Sequence, residues 1–118
     1  MEYSELTGKG YEKVSDLYDS SIRVIKENQA PTGAYIAGPT FSQYRYCWFR
    51  DGAYIAYAMD LVGEHGSAGR FYDWAARAVV SRARHVERAI VTAKRGDRPS
   101  AENLLHTRYT PGGEVGSA

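Results

Sequence analysis

Residues 51–62 read Asp-Gly-Ala-Tyr-Ile-Ala-Tyr-Ala-Met-Asp-Leu-Val, and this run constrains the fold more than any other feature of the chain. Ala53, Tyr54, Ile55, Ala56, Tyr57, Ala58, Met59, Leu61 and Val62 leave a helix almost no polar face. A helix that is apolar on every side is buried on every side. Gly63 supplies its C-terminal stop. A single small domain has too few elements to cover such a helix. The run therefore predicts a larger helical body that wraps it, and a helix not fully covered within this chain.

The flanking segments are also helical. From about Tyr11 to Asn28, Val14, Leu17, Tyr18, Ser21, Ile22 and Ile25 fall at helical spacing, and Pro31 and Gly33 stop the run. Ala34 to Ala37 reads as a short extended piece turned by Gly38-Pro39, and Phe41 to Phe49 as an aromatic connector without a period. Ser67 is a candidate N-cap for a third helix, whose apolar stripe continues from Phe71 through Trp74, Ala78, Val86 and Ile90 to Ala93. Beyond Lys94 the sequence turns polar. Leu104 to Thr110 reads as a short extended segment, and residues 111–118 as an open loop. Three helices joined by loops, one of them apolar all round, form a sector of an all-α fold rather than a complete one.

Several function classes are disfavoured. The chain has 118 residues, enough for one small domain or a piece of a larger one, and a net charge of +1, so it is no polyanion binder by charge. Arg70, Arg77, Arg82, Arg84, Arg88, Lys94, Arg95 and Arg98 crowd the third helix, but acidic residues intersperse them and no aromatic platform accompanies them. A solvated face is the better reading than a nucleic-acid surface. No apolar run approaches the roughly 20 residues of a membrane span. Cys47 is the single cysteine, so no intrachain disulfide forms. With no signal peptide at Met1-Glu-Tyr-Ser4, the setting expected is cytoplasmic. His65, His85 and His106 are scattered without metal-ligand spacing, and the glycines form no phosphate loop, so neither metal nor cofactor is expected.

The chemistry concentrates in Tyr44-Arg-Tyr-Cys-Trp-Phe-Arg-Asp51, four aromatics around an Arg-Asp pair at the start of the apolar helix. Tyrosine is abundant in the whole chain, 10 against 3 Phe. Sugars present pairs of hydroxyls and faces rich in C–H. A carboxylate accepts two hydroxyl protons, a guanidinium donates to neighbouring oxygens, and aromatic rings cover the C–H faces. An ionised Asp51 suits holding a substrate better than acid catalysis, which needs a carboxyl group kept protonated. Read without further context, the same residues also fit a structural ion pair capping a helix in an aromatic core.

The segment Gln29-Ala-Pro-Thr-Gly-Ala-Tyr-Ile-Ala-Gly-Pro-Thr40, followed by Tyr44-Arg-Tyr-Cys-Trp-Phe-Arg-Asp-Gly-Ala53, closely resembles the first conserved region of family 15 glycoside hydrolases, which comprise glucoamylases, glucodextranases and a group of trehalases. His106-Thr-Arg-Tyr-Thr-Pro-Gly-Gly-Glu114 also looks like the family, and the resemblance runs from about Tyr18 to Gly116. It implies an (α/α)6 toroid of six inner and six outer helices, of which this chain holds the first. It implies that Arg50 and Asp51 hold the terminal glucose of an α-glucoside or oligosaccharide, with Tyr44 and Trp48 lining the same subsite. Tyr46 is left to the core, and Arg108, although it lies in a family-like segment, is not counted among the sugar contacts. The family inverts, with an acid and a base carboxylate roughly 6.5–9.5 Å apart. No glutamate here matches either one, so this chain is expected to be a catalytically inactive piece, completed by the remainder of its catalytic domain. Trehalose hydrolysis is the alternative within the family; a non-catalytic sugar-binding or helix-packing module is the alternative of another class.

Overall fold

The computed structural model describes residues 8–116, with side chains from Lys13 onward. The elements are α1 (Gly8–Glu27), β1 (Cys47–Trp48), α2 (Phe49–Leu61), α3 (His65–Ser81), α4 (Ala83–Lys94) and β2 (Arg108–Tyr109). No helix among the described residues is long and apolar enough to cross a membrane.

α2 and α3 form an antiparallel pair around which everything else is arranged. Gly63, with φ +86, makes the turn between them. It is a left-handed position that glycine occupies without cost. The core contains Ala56 and Met59 of α2, Ala68, Phe71 and Trp74 of α3, Cys47 of β1, Tyr109 of β2, and Ala34 and Tyr35 from the connection between α1 and β1. α1 lays Ile22 and Ile25 against this cluster. Lys26 of α1 is ion-paired to Glu64 at 3.1 Å.

The apolar helix is covered on one side only. Tyr54, Tyr57 and Leu61 are 73%, 62% and 69% exposed. A groove of about 340 Å³ between α1 and α2 is lined by Leu17, Tyr18, Ile22, Ile25 and Met59 among others. The radius of gyration is 18.6 Å, with extents of 65 × 26 × 25 Å. A closed domain of this length has a radius near 13.5 Å, roughly. The chain therefore has the dimensions of a sector that wraps nothing by itself.

Three sequence expectations are corrected. The third helix is two helices, broken at Arg82. Ser81 Oγ donates to the Ala78 carbonyl at 2.6 Å, and the Arg82 guanidinium reaches the Glu102 carbonyl, also at 2.6 Å. A side chain that bonds back to its own helix bends it. Ser67 is not an N-cap: α3 begins at His65, and Ser67 lies buried in its first turn. Of the open loop expected over residues 111–118, residues 117–118 lie outside the described residues, and residues 111–116 are not open. The Thr110 amide donates to Glu114 and that of Gly116 to Arg108, and Trp74 Nε1 donates to the Pro111 carbonyl at 3.0 Å.

Candidate substrate-binding site

The two short strands build the platform. They pair antiparallel, Cys47 with Tyr109 and Trp48 with Arg108. Successive residues of a strand point to opposite faces. Cys47 and Tyr109 face inward and are fully buried. Trp48 and Arg108 take the other face, both half-buried. Tyr46 joins them there: its ring meets Trp48 edge-on at 6.4 Å and carries the Arg108 guanidinium 4.2 Å above its centroid. Tyr46, expected in the core, thus belongs to the outer face of the ladder. Tyr44 is 45% exposed, with Phe41 edge-on to its ring at 5.8 Å.

The first turn of α2 follows at once. Trp48 is its N-cap in an extended conformation, without a capping side-chain bond, and Asp51 lies in the turn. A carboxylate there is favoured by the helix dipole. Arg50 Nε donates to Asp51 Oδ1 at 2.9 Å. The Arg50 side chain is 78% exposed and that of Asp51 33%. The pair stands at the exposed start of α2. Among the described residues, the second Asp51 oxygen and the terminal nitrogens of Arg50 bond no protein side chain, so both remain able to meet a ligand.

The connection between α1 and β1 is fixed from behind. Ser67 Oγ donates to Gln29 Oε1 at 2.8 Å and is hydrogen-bonded to the Tyr35 hydroxyl, while Gln29 Nε2 donates to the carbonyls of Ser67 and Gly33. Burial pushes the Tyr35 phenol upward, an effect the Ser67 bond opposes. Gly33 has φ +100 and lies directly on the backbone of α3, since a Cβ there would meet the Arg70 carbonyl oxygen at 2.2 Å. The far end of the connection donates from Ala37 and Gly38 to the carbonyls of Tyr46 and Tyr44. The Tyr35 ring stacks on Phe71 at 5.3 Å, and Phe71 in turn fills the space over Gly52, the neighbour of Asp51. One buried aromatic thus supports both the Tyr44 side and the Asp51 side of the candidate site.

The remaining chemistry is structural. Burial pushes the Cys47 thiol up to about 12, so it is no nucleophile at neutral pH. Arg77 donates to the Thr32 carbonyl, as Arg82 does to Glu102. Glu64 is paired with Lys26, while Glu87, Glu102 and Glu114 are exposed. Among the described residues no three His, Cys, Asp or Glu side chains gather as a metal site. Two larger clefts, of about 550 and 600 Å³, are lined by Trp74, Arg77 and Arg82 and by Arg84, Arg88 and Arg95 respectively. Neither contains Arg50 or Asp51, which stand on an open surface.

Residues 13–115 match the family model of the glycosyl hydrolases family 15. This chain belongs to that family. The isomaltose glucohydrolase of Kribbella flavida is 41% identical to it over 106 residues, 89% of this chain and 28% of that protein. A wild-type glycosidase structure and a glycosidase variant in complex with glucose each match it with a TM-score of 0.89 at 38% identity, over 95% of this chain and 30% of theirs. The family 15 chain described here therefore spans less than a third of the length of these relatives. Its helices are a sector of a helical toroid, the fold class that the sequence implied.

Proposed function

We propose that this chain supplies the glucose-holding loop of an inverting glycoside hydrolase that releases glucose from an α-glucoside. Asp51 accepts a pair of hydroxyl protons from the terminal sugar, and Arg50 donates to a neighbouring oxygen. Trp48 and Tyr44 cover the C–H faces of the ring. The observation that carries this reading is the Arg50–Asp51 pair: bonded at 2.9 Å, open to solvent, and within the family match. Isomaltose, acted on by the Kribbella flavida relative, is the first substrate to test. The acid and base carboxylates come from the remainder of the catalytic domain. The same remainder covers Tyr54, Tyr57 and Leu61 of α2.

The test is Asp51→Asn in the full-length enzyme that carries this chain. Asparagine keeps the shape but loses the charge and one acceptor. Hydrogen bonds to charged groups are worth about 1.5–3 kcal/mol, which corresponds to roughly a ten- to hundredfold loss in kcat/KM on isomaltose. The melting temperature should stay nearly unchanged. A destabilised but fully active variant would end the sugar-holding assignment. The 118-residue chain alone should release no glucose from isomaltose, maltose or trehalose.

A further inference from the structure

We propose that Arg108 is a further substrate-contacting residue of this subsite, a donor to the hydroxyls of the bound α-glucoside that helps set which sugar is accepted. The inference rests on the reading of Arg50 and Asp51 given above. Its own support is the ladder. Arg108 pairs with Trp48 across the two strands, and directly opposed residues share a face. If Trp48 lines the sugar, Arg108 stands beside it on the same surface.

Its side chain is closely packed at two points. The guanidinium lies 4.2 Å over the Tyr46 ring. The Gly116 backbone closes on its stem, since a Cβ there would meet Arg108 Cγ at 2.9 Å and Tyr46 Cδ1 at 3.0 Å. A side chain so confined gives up little rotamer freedom on binding. What is missing is the usual outlet for an immobilised arginine. Arg77 and Arg82 each spend a nitrogen on a backbone carbonyl. Among the described residues, the Arg108 guanidinium makes no hydrogen bond. It is stacked and paired with no carboxylate, and its edge carries five N–H donors in a planar fork. Adjacent hydroxyls of a sugar ring offer acceptors that such a fork can reach in pairs.

The experiment compares Arg108→Met and Arg108→Lys with the parent in the full-length enzyme. Methionine keeps an apolar arm over Tyr46 and removes every donor; lysine keeps the charge and loses the fork. Both should raise KM for isomaltose, Arg108→Met by about tenfold, as expected for a lost charged hydrogen bond. A series of monodeoxy isomaltosides gives the decisive readout. In the parent enzyme, one missing hydroxyl should cost about tenfold in kcat/KM, and in Arg108→Met that same position should cost nothing further. Lower melting temperature with unchanged KM and kcat in Arg108→Lys, or identical deoxy penalties in parent and variants, would overturn the proposal and leave Arg108 a clamp on the 110–116 turn. Asp51→Asn separates the two levels: if it stays active the subsite reading falls, whereas if it is crippled and the Arg108 variants are not, only this inference falls.

Discussion

Gly52→Ala sets two effects of known size against each other one residue from Asp51. Alanine in a helix is favoured over glycine by about 1 kcal/mol, so propensity alone predicts a more stable protein. The packing opposes it. A Cβ on Gly52 would lie 2.4 and 2.5 Å from two carbons of the Phe71 ring. Phe71 is 2% exposed, with Tyr35 stacked on it at 5.3 Å and Trp74 5.8 Å away. It has nowhere to turn without disturbing the Tyr35–Ser67 bond or the Trp74 bond to Pro111. Overpacking a filled core costs about 1–3 kcal/mol, and a ring pinned on two sides belongs at the upper end. The net expectation is a loss of about 2 kcal/mol, read as a lower melting temperature of the full-length enzyme. Thermal unfolding followed by circular dichroism measures it. Phe71→Leu, which opens the space, should recover part of the loss in the double mutant, so the two substitutions should be non-additive. If Gly52→Ala melts above the parent, helix propensity has won and the α2–α3 contact is looser than described.

Three further outcomes are expected. Ser67→Ala strips one hydroxyl from both Tyr35 and Gln29 and should cost about 1–3 kcal/mol; if Tyr35→Phe and Ser67→Ala add independently in urea unfolding, the network is not coupled. Cys47 titrates at about 12 when folded against an ordinary 9.0, so its contribution to stability is intact below pH 9 and drains away as pH climbs from 9 towards 12, with the raised Tyr35 acting in the same direction. Unfolding midpoints across that window check it, and Cys47→Ala should flatten part of the decline. Finally, the 118-residue chain should bind an apolar dye through Tyr54, Tyr57 and Leu61 or self-associate; a monomer that binds none would contradict the uncovered face.

The sequence carried the helices well, because their periodic apolar stripes are local information. The start of α2, its stop at Gly63 and its need of a cover were all readable from residues 51–63. The break at Arg82 was not, since no proline or glycine marks it. It comes from Ser81 turning back on Ala78 and from Arg82 reaching a distant carbonyl. Ser67 looked like a cap because hydroxyls so often are, yet its partners are Gln29 and Tyr35, more than thirty residues earlier in sequence. Arg50 and Asp51 stood out through the density of aromatics around them. The position of Arg108 depends on a ladder of two-residue strands, too short for any period to show, and only the pairing places it next to Trp48.

That ladder also dictates an order of events. It joins Cys47 to Tyr109 across roughly sixty intervening residues, whereas α2 and α3 meet through a turn of three. Contacts between distant positions must wait for the chain between them to be made and must bear the entropy of closing a long loop. During synthesis, the α2–α3 hairpin can form while β2 is still inside the ribosome. A nascent chain that has emerged only as far as Lys94 therefore possesses its helices and its Arg50–Asp51 pair, but not the face that Trp48 shares with Arg108. That face is completed last, and a pause in translation before Arg108 would leave the stretch helical but without its ladder.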